Sequence, residues 1–318
     1  MAVTGRHCAL LVLAIVAVPK PVIAIFGPTG VGKTSVAIEL AERLRRRGEE
    51  PVAISADALQ VYRGLELLTG VATPEEQKRL EHRLVAFVPV TETFSAGEFA
   101  ALAHREIDGA LEAGRRPIVV GGTGLYLQAA LTGLDLRPPS PPGVRERILA
   151  EVERRGVEAL HDELAERSPA AAAAVEPADR TRVVRSLELL EMGEEPAPAG
   201  PESRLWSAGL RRPTLLFGLT MARERLYEQI DARVDAMVAA GAANEVRRAD
   251  AAGASPTARK ALGFEELLRG DVEAMKRRTR NYAKRQLTWM RRLEGVKLVD
   301  VSASPVDRLC RLIREEDS

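Results

Sequence analysis

The stretch Gly27-Pro28-Thr29-Gly30-Val31-Gly32-Lys33-Thr34 meets every fixed position of G-x-x-x-x-G-K-[ST], the loop that cradles phosphate groups. Its flanks supply the context that the pattern needs. Pro21 to Phe26 is a short β-branched apolar run, and Thr34 to Arg47 carries Val36, Ala37, Leu40, Ala41 and Leu44 at helical spacing. Strand, glycine-rich loop and helix in that order turn backbone N–H groups inward around phosphate oxygens. Lys33 adds a cation, the helix start favours negative charge, and Thr34 is placed to hold Mg²⁺. The loop alone does not decide whether the diphosphate it holds is a phosphoryl donor or a leaving group.

Further along, Pro51 to Ser55 reads as a second strand ending at Ala56-Asp57, and Pro117 to Val120 as a third ending at Gly121-Gly122-Thr123-Gly124. Helical segments precede both, which predicts a P-loop NTPase-like parallel α/β sheet flanked by helices. Arg137-Pro138-Pro139-Ser140-Pro141-Pro142 is a stiff linker. Val144 to Met192 then has helical period and no strand signal, and Glu194 to Pro201 is a second Pro/Gly-rich break. Thr214 to Leu219 reads as a strand returning to the sheet, with long helices over Arg223–Arg248 and Phe264–Leu293. The expected organisation is a catalytic α/β core over residues 20–133 and 201–302, an all-helical insertion domain at 134–200, and a tail at 303–318. Residues 1–19 form a leader in which Arg6 precedes the apolar run Cys8 to Val18. That run is too short to span a bilayer. The leader reads as an upstream start codon, with the true start nearer Val18.

With 318 residues, 46% hydrophobic and 29% charged, the chain has ample material for a core, and disordered or collagen-like classes are excluded. A formal net charge of +1 gives no global basic field, so any nucleic-acid surface must be local. Cys8 and Cys310 lie nearly a chain length apart, which excludes a disulfide framework and a zinc cluster. His82, His104 and His161 have no metal-ligand spacing. The expected protein is a cytoplasmic monomer with no membrane attachment.

In Asp57-Ala58-Leu59-Gln60-Val61-Tyr62-Arg63-Gly64, Asp57 follows the carboxyl end of a strand, where open parallel sheets place their ligands. It can ligate Mg²⁺, act as a general base on an acceptor, or simply cap the next turn. The amide of Gln60 suits the N6 and N7 positions of an adenine. From Met275 to Leu293 there are eight Lys or Arg residues and no acid. Lys284 and Arg285 belong to this patch, which reads as a contact with RNA backbone, while Tyr282, Gln286 and Trp289 share another helix face whose aromatics pack inward.

Five ordered blocks resemble the tRNA dimethylallyltransferase (tRNA isopentenyltransferase) family in its bacterial form. They are Gly27–Thr34, Asp57–Gly64, Gly121–Leu127, Arg182–Glu188 and Ala283–Trp289, and the likeness runs from about Pro21 to Asp300. The resemblance implies transfer of a dimethylallyl group from dimethylallyl diphosphate to N6 of the adenosine at tRNA position 37, 3′ to the anticodon, with diphosphate released. It implies that Asp57 is the base, that Thr29 and Arg233 contact the diphosphate, and that Mg²⁺ on Thr34 assists. Its tRNA anticodon stem-loop contacts map onto Asp57, Ala58, Leu59, Gln60, Thr123 and Arg145, onto Thr181, Arg182, Val183, Val184 and Arg185, and onto Lys260, Ala261, Leu262, Gly263, Phe264 and Glu265. Two departures stand out: Ala58 replaces a common Ser, and the family's Thr-x-Lys is here Thr69-Gly70-Val71, with neighbouring Arg63 as the candidate substitute for the missing Lys.

The phosphate loop and Asp57 also suit a small-molecule or nucleotide kinase, which leaves the basic segment unexplained. An adenylate isopentenyltransferase would share the donor but leave the long insertion without a role. An NTP-switched RNA-binding protein would keep RNA binding and show no transfer.

Overall fold

The computed structural model describes residues 20–134, 137, 140–196 and 209–317. The leader expected at 1–19, Pro138 and Pro139 of the first linker, and 197–201 of the second break lie outside the described residues.

Val22–Phe26, the first strand (β1), is buried along its whole length, as a central strand covered on both faces must be. Ile23 and Ile25 enter one core, and Val22, Ala24 and Phe26 enter the other. The parallel sheet built around it has the order β4-β2-β6-β1-β7-β8, with β2 Pro51–Ser55, β4 His82–Arg83, β6 Arg116–Gly121, β7 Thr214–Thr220 and β8 Lys297–Asp300. A separate two-residue pair joins β3 (Tyr62–Arg63) to β5 (Val88–Pro89).

On one face lie α1 (Lys33–Arg45), the start of α10 (Arg223–Ala239) and α14 (Pro305–Asp317). The other face is covered by α4 (Ala96–Glu112), α5 (Gly124–Leu131) and the end of α13 (Val272–Met290). A third cluster gathers α2 (Glu66–Thr69), α11 (Ala242–Ala251), α12 (Phe264–Leu268) and the start of α13 beside the carboxyl ends of the strands. Helix starts follow their local chemistry. Thr73 with Glu76 and Ser95 with Glu98 form capping boxes at α3 (Pro74–Arg79) and α4.

Helices α6 (Val144–Arg155), α7 (Val157–Arg167), α8 (Pro169–Ala173) and α9 (Arg180–Glu191) close over their own core of Ile148, Val152, Leu160, Leu164, Val183, Val184 and Leu187. Within it the fully buried carboxylate of Glu188 accepts hydrogen bonds from Arg145 Nη1 at 2.7 Å and Arg185 Nη1 at 2.9 Å.

Three features differ from the expected elements. The helix expected at 223–248 is two helices, α10 and α11, separated at Ala240-Gly241. That expected at 264–293 breaks at Gly270-Asp271, where Asp271 accepts from Ala274 N–H and starts α13 anew. The segment 303–318, expected as a tail, holds α14, whose Val306, Leu309, Cys310 and Ile313 are buried in the same core as α1. β8 had no readable period because only Val299 of its four residues is buried. No helix among the described residues is long and apolar enough to cross a membrane.

Candidate functional site

Three loops leave the carboxyl ends of β1, β2 and β6 side by side, where a parallel sheet places its ligand crevice. The first is the phosphate loop. At Gly30, φ is +83° and a Cβ would lie 2.8 Å from Ile230 Cγ1, so both conformation and close approach require glycine. Lys33 Nζ donates to the carbonyls of Gly27 and Pro28 at 3.0 Å each, which holds the ammonium inside the curve of its own loop. Burial lowers its pKa to about 8, with Asp57 raising it and Arg233 lowering it. The sign sets a pH dependence. Below pH 8 Lys33 carries its charge, and above it the loop loses its cation. Affinity for inorganic diphosphate is therefore expected to fall by up to about tenfold per pH unit as pH rises through 8. Calorimetric titration between about pH 7 and pH 9 checks this; a flat profile would place the cation elsewhere.

The second loop carries Asp57. Its Oδ1 accepts the N–H of Leu59 at 3.0 Å, so the turn-capping role is present, and Oδ2 is the oxygen left to take a proton. Gln60 reaches the cavity with its amide already engaged by the protein. Ser55 Oγ donates to its Oε1 at 2.9 Å and its Nε2 donates to the carbonyl of Gly70 at 3.0 Å, tying β2 to the strap after α2. That strap is held from behind by buried Glu245, which accepts Leu67 N–H at 3.0 Å and Leu68 N–H at 2.8 Å.

The third loop is Gly121-Gly122-Thr123, and α13 lies across it. Gln286, only 4% exposed, accepts Thr29 N–H at 2.8 Å through Oε1 and donates to Gly122 O at 2.7 Å through Nε2. Tyr282 OH and Thr123 Oγ1 share a hydrogen bond of 3.2 Å, and burial pushes the phenol up to about 12, so it stays neutral. Trp289 packs on Gly124, where a Cβ would fall 2.0 Å from its ring.

Arg233 on α10 completes the site. It keeps accessible surface because it faces the cavity, yet the surrounding protein holds its pKa below the ordinary guanidinium value by desolvation, with Asp57 and Glu76 opposing. A Cβ on Gly70 would sit 1.7 Å from Arg233 Nη2, so this guanidinium lies directly against the strap that lacks the expected Lys. Arg63 does not replace that Lys: it donates to the carbonyls of Ala86 at 3.4 Å and Phe87 at 3.3 Å and is not a cavity wall. The three loops and α10 enclose a cavity of about 430 Å³. Thr29, Lys33, Thr34, Asp57, Gln60 and Arg233 line its polar part, and Leu68, Ile230, Val234, Met237 and Met275 line an apolar part.

The remaining expected contacts are spread outside the cavity. Leu262 reaches its wall, whereas Ala261 and Phe264 are buried in the third cluster and Val183 and Val184 in the insertion's core. Those four side chains have no surface to offer a partner. Their exposed neighbours Thr181, Arg182 and Lys260 do, and Arg182 also pairs with Asp179 at 3.5 Å. Glu265 accepts from Arg259 at 3.0 Å. Arg145 and Arg185 converge on Glu188, which orients both while leaving Arg145 44% exposed along its side chain.

The acid-free stretch on α13 is less unbalanced in three dimensions than in sequence. Lys276 pairs with Asp235 at 2.8 Å, Arg278 with Glu266 at 2.8 Å and Arg280 with Asp231 at 2.6 Å, all acids from α10 and α12. Arg277, Lys284 and Arg285 are exposed and have no ion pair among the described residues. The functional side chain missing from the expected site is Gln286. It stood in a recognised block on the face shared by Tyr282 and Trp289, but no local pattern shows that its amide bridges two loops.

The family model described as IPP transferase matches residues 60–293. The tRNA dimethylallyltransferase of Syntrophobacter fumaroxidans is 38% identical over 94% of this chain and 88% of its own length. That of Rhodospirillum centenum is 43% identical over 86% of this chain and 88% of its own. Among solved structures, the full-length tRNA isopentenylpyrophosphate transferase of Bacillus halodurans superposes with a TM-score of 0.66 at 34% identity, covering 94% of this chain and 98% of that one. A eukaryotic dimethylallyltransferase acting on tRNA gives a TM-score of 0.76 at 27% identity, over 93% of this chain and 79% of that one. On the length and level of these matches, together with the phosphate loop and the residues gathered around it, the chain belongs to the tRNA dimethylallyltransferase family.

Proposed function

We propose that this protein transfers a dimethylallyl group from dimethylallyl diphosphate to N6 of the adenosine at position 37 of tRNA, 3′ to the anticodon, and releases diphosphate. The observation that carries the reading is one cavity shared by the phosphate loop, Arg233, Asp57 and an apolar flank. With a diphosphate on the loop, Ile230, Val234 and Met237 supply an apolar wall that suits a five-carbon hydrocarbon tail.

In the reaction the N6 lone pair attacks the dimethylallyl C1 and the C1–O bond breaks, its electron pair passing to the diphosphate oxygen. The N6 proton goes to the Asp57 carboxylate. Lys33, Arg233 and the backbone N–H groups of the loop stabilise the charge that grows on the departing oxygen. Mg²⁺ fits this donor set. No cluster of three His, Cys, Asp or Glu side chains is placed to hold a metal among the described residues, but Mg²⁺ is commonly held by one or two protein oxygens plus substrate phosphates. Thr34 would be its protein ligand and the ion would neutralise diphosphate charge.

The adenosine reaches Asp57 by leaving its loop stack, which selects single-stranded anticodon loops over duplex. We read the insertion at 134–200 and the α/β core that flanks it, α14 included, as two jaws on the stem-loop, with Arg145, Arg182, Lys260, Lys284 and Arg285 on its backbone. A tRNA acceptor and a soluble diphosphate donor support a cytoplasmic location for the reaction. Replacing Arg277, Lys284 and Arg285 together by Gln is expected to weaken stem-loop binding and reduce the salt slope by up to about three phosphate contacts. Titrations at several salt concentrations test this, and an identical slope would make the outer face of α13 a solvated surface. For the reaction, diphosphate release should require both dimethylallyl diphosphate and RNA. Phosphoryl transfer from ATP in their absence would favour a kinase instead.

A further inference from the structure

We propose that Gln286 is a positioning residue through which RNA docked on α13 sets the geometry of the phosphate loop. The proposal deepens the transferase reading and rests on it for the identity of the RNA. One buried amide spans two loops that the chain separates widely: Oε1 takes the N–H of Thr29 at 2.8 Å, and Nε2 gives to the carbonyl of Gly122 at 2.7 Å. The Thr29 N–H is thereby committed to α13, so it fixes the loop's shape instead of pointing at phosphate.

The fit around this clasp is tight. A Cβ on Gly122 would lie 2.3 Å from Gln286 Nε2, and one on Gly124 would lie 2.0 Å from the Trp289 ring. Tyr282, Gln286 and Trp289, at i, i+4 and i+7, thus attach one face of α13 to the loops after β1 and β6. Lys284 and Arg285, immediately before Gln286 in the chain, are exposed and have no acid partner among the described residues. A phosphate backbone held there meets the same helix that holds the diphosphate loop. A shift of α13 that lengthens both Gln286 bonds leaves the half-buried Thr29 N–H and the buried Gly122 C=O without their partner, a loss the tight packing here resists. RNA docking and loop geometry are coupled by that cost. By linkage, RNA and diphosphate then tighten each other's binding by the same factor.

The test is calorimetric titration of inorganic diphosphate with Mg²⁺, with and without an unmodified anticodon stem-loop, on the full chain and on Gln286→Met. For the unaltered protein the stem-loop is expected to tighten diphosphate at least about fivefold. In Gln286→Met that factor should fall to about one, diphosphate alone should bind about tenfold more weakly, and the KM for dimethylallyl diphosphate should rise more than kcat falls. Gly122→Ala, which pushes on the clasp from the other side, should give the same loss of coupling. A coupling factor unchanged in both variants would overturn the proposal. If both unfold, amide exchange at Thr29 in the unaltered protein decides: slowing on stem-loop binding supports the clasp, and unchanged exchange refutes it. Should the stem-loop not bind at all, the transferase reading fails on its own, and an unchanged diphosphate affinity in Gln286→Met would separately remove Gln286 from the loop's control.

Discussion

Asp57→Asn is expected to lower the rate of dimethylallyl transfer by a factor on the order of 10² to 10⁴ while leaving stem-loop binding within about twofold. Asparagine is the informative replacement because its amide oxygen can still accept the Leu59 N–H that Oδ1 accepts at 3.0 Å, so the turn after β2 survives. What it cannot do is take a proton from the adenine amine. Alanine would remove the turn and the base together and would confuse the two. Single-turnover rates at saturating donor and RNA, with binding measured separately, give the answer. An unchanged rate would reduce Asp57 to its capping role.

Lys33→Met is expected to cost 10²- to 10³-fold in kcat/KM for dimethylallyl diphosphate, by analogy with removal of a donor that faces developing charge. The ammonium lies inside the loop at 3.0 Å from two of its carbonyls and is desolvated there, so no water replaces the charge it brings. Arginine is not a conservative substitute. Its planar fork needs more room than a point charge, and the space beside the loop is filled by Gly122 and Gln286. Stopped-time assays over a range of donor concentrations check the prediction, with kcat and KM both moving. If only KM moved, Lys33 would bind the donor without assisting departure of diphosphate.

Much of the site is legible in sequence because its chemistry is local. Gly27 to Thr34 is contiguous, its flanking strand and helix are strongly patterned, and Asp57 is placed by the end of an apolar run. What stayed hidden depends on tertiary contact. Gln60 offers an amide in sequence, but the fold spends it on Ser55 and Gly70. The basic run of α13 looks uncompensated because its acids, Asp231, Asp235 and Glu266, come from other helices. Arg63 is near the altered Thr69-Gly70-Val71 in sequence, yet Arg233, more than 160 residues away, is the guanidinium that lies on it. Helix breaks at Gly241 and Gly270 fall inside stretches whose period continues on both sides, so periodicity alone joins what the backbone separates.

The central claim is the transfer itself, and nucleoside mass analysis tests it most directly. Purified protein is incubated with Mg²⁺, dimethylallyl diphosphate and an unmodified anticodon stem-loop, and the RNA is digested to nucleosides. The account predicts one adenosine, the one 3′ to the anticodon, carrying a single dimethylallyl group on N6, with an equal amount of diphosphate released. An RNA that returns unmodified while free AMP gains the group, or while ATP gives up a phosphoryl group, would contradict it.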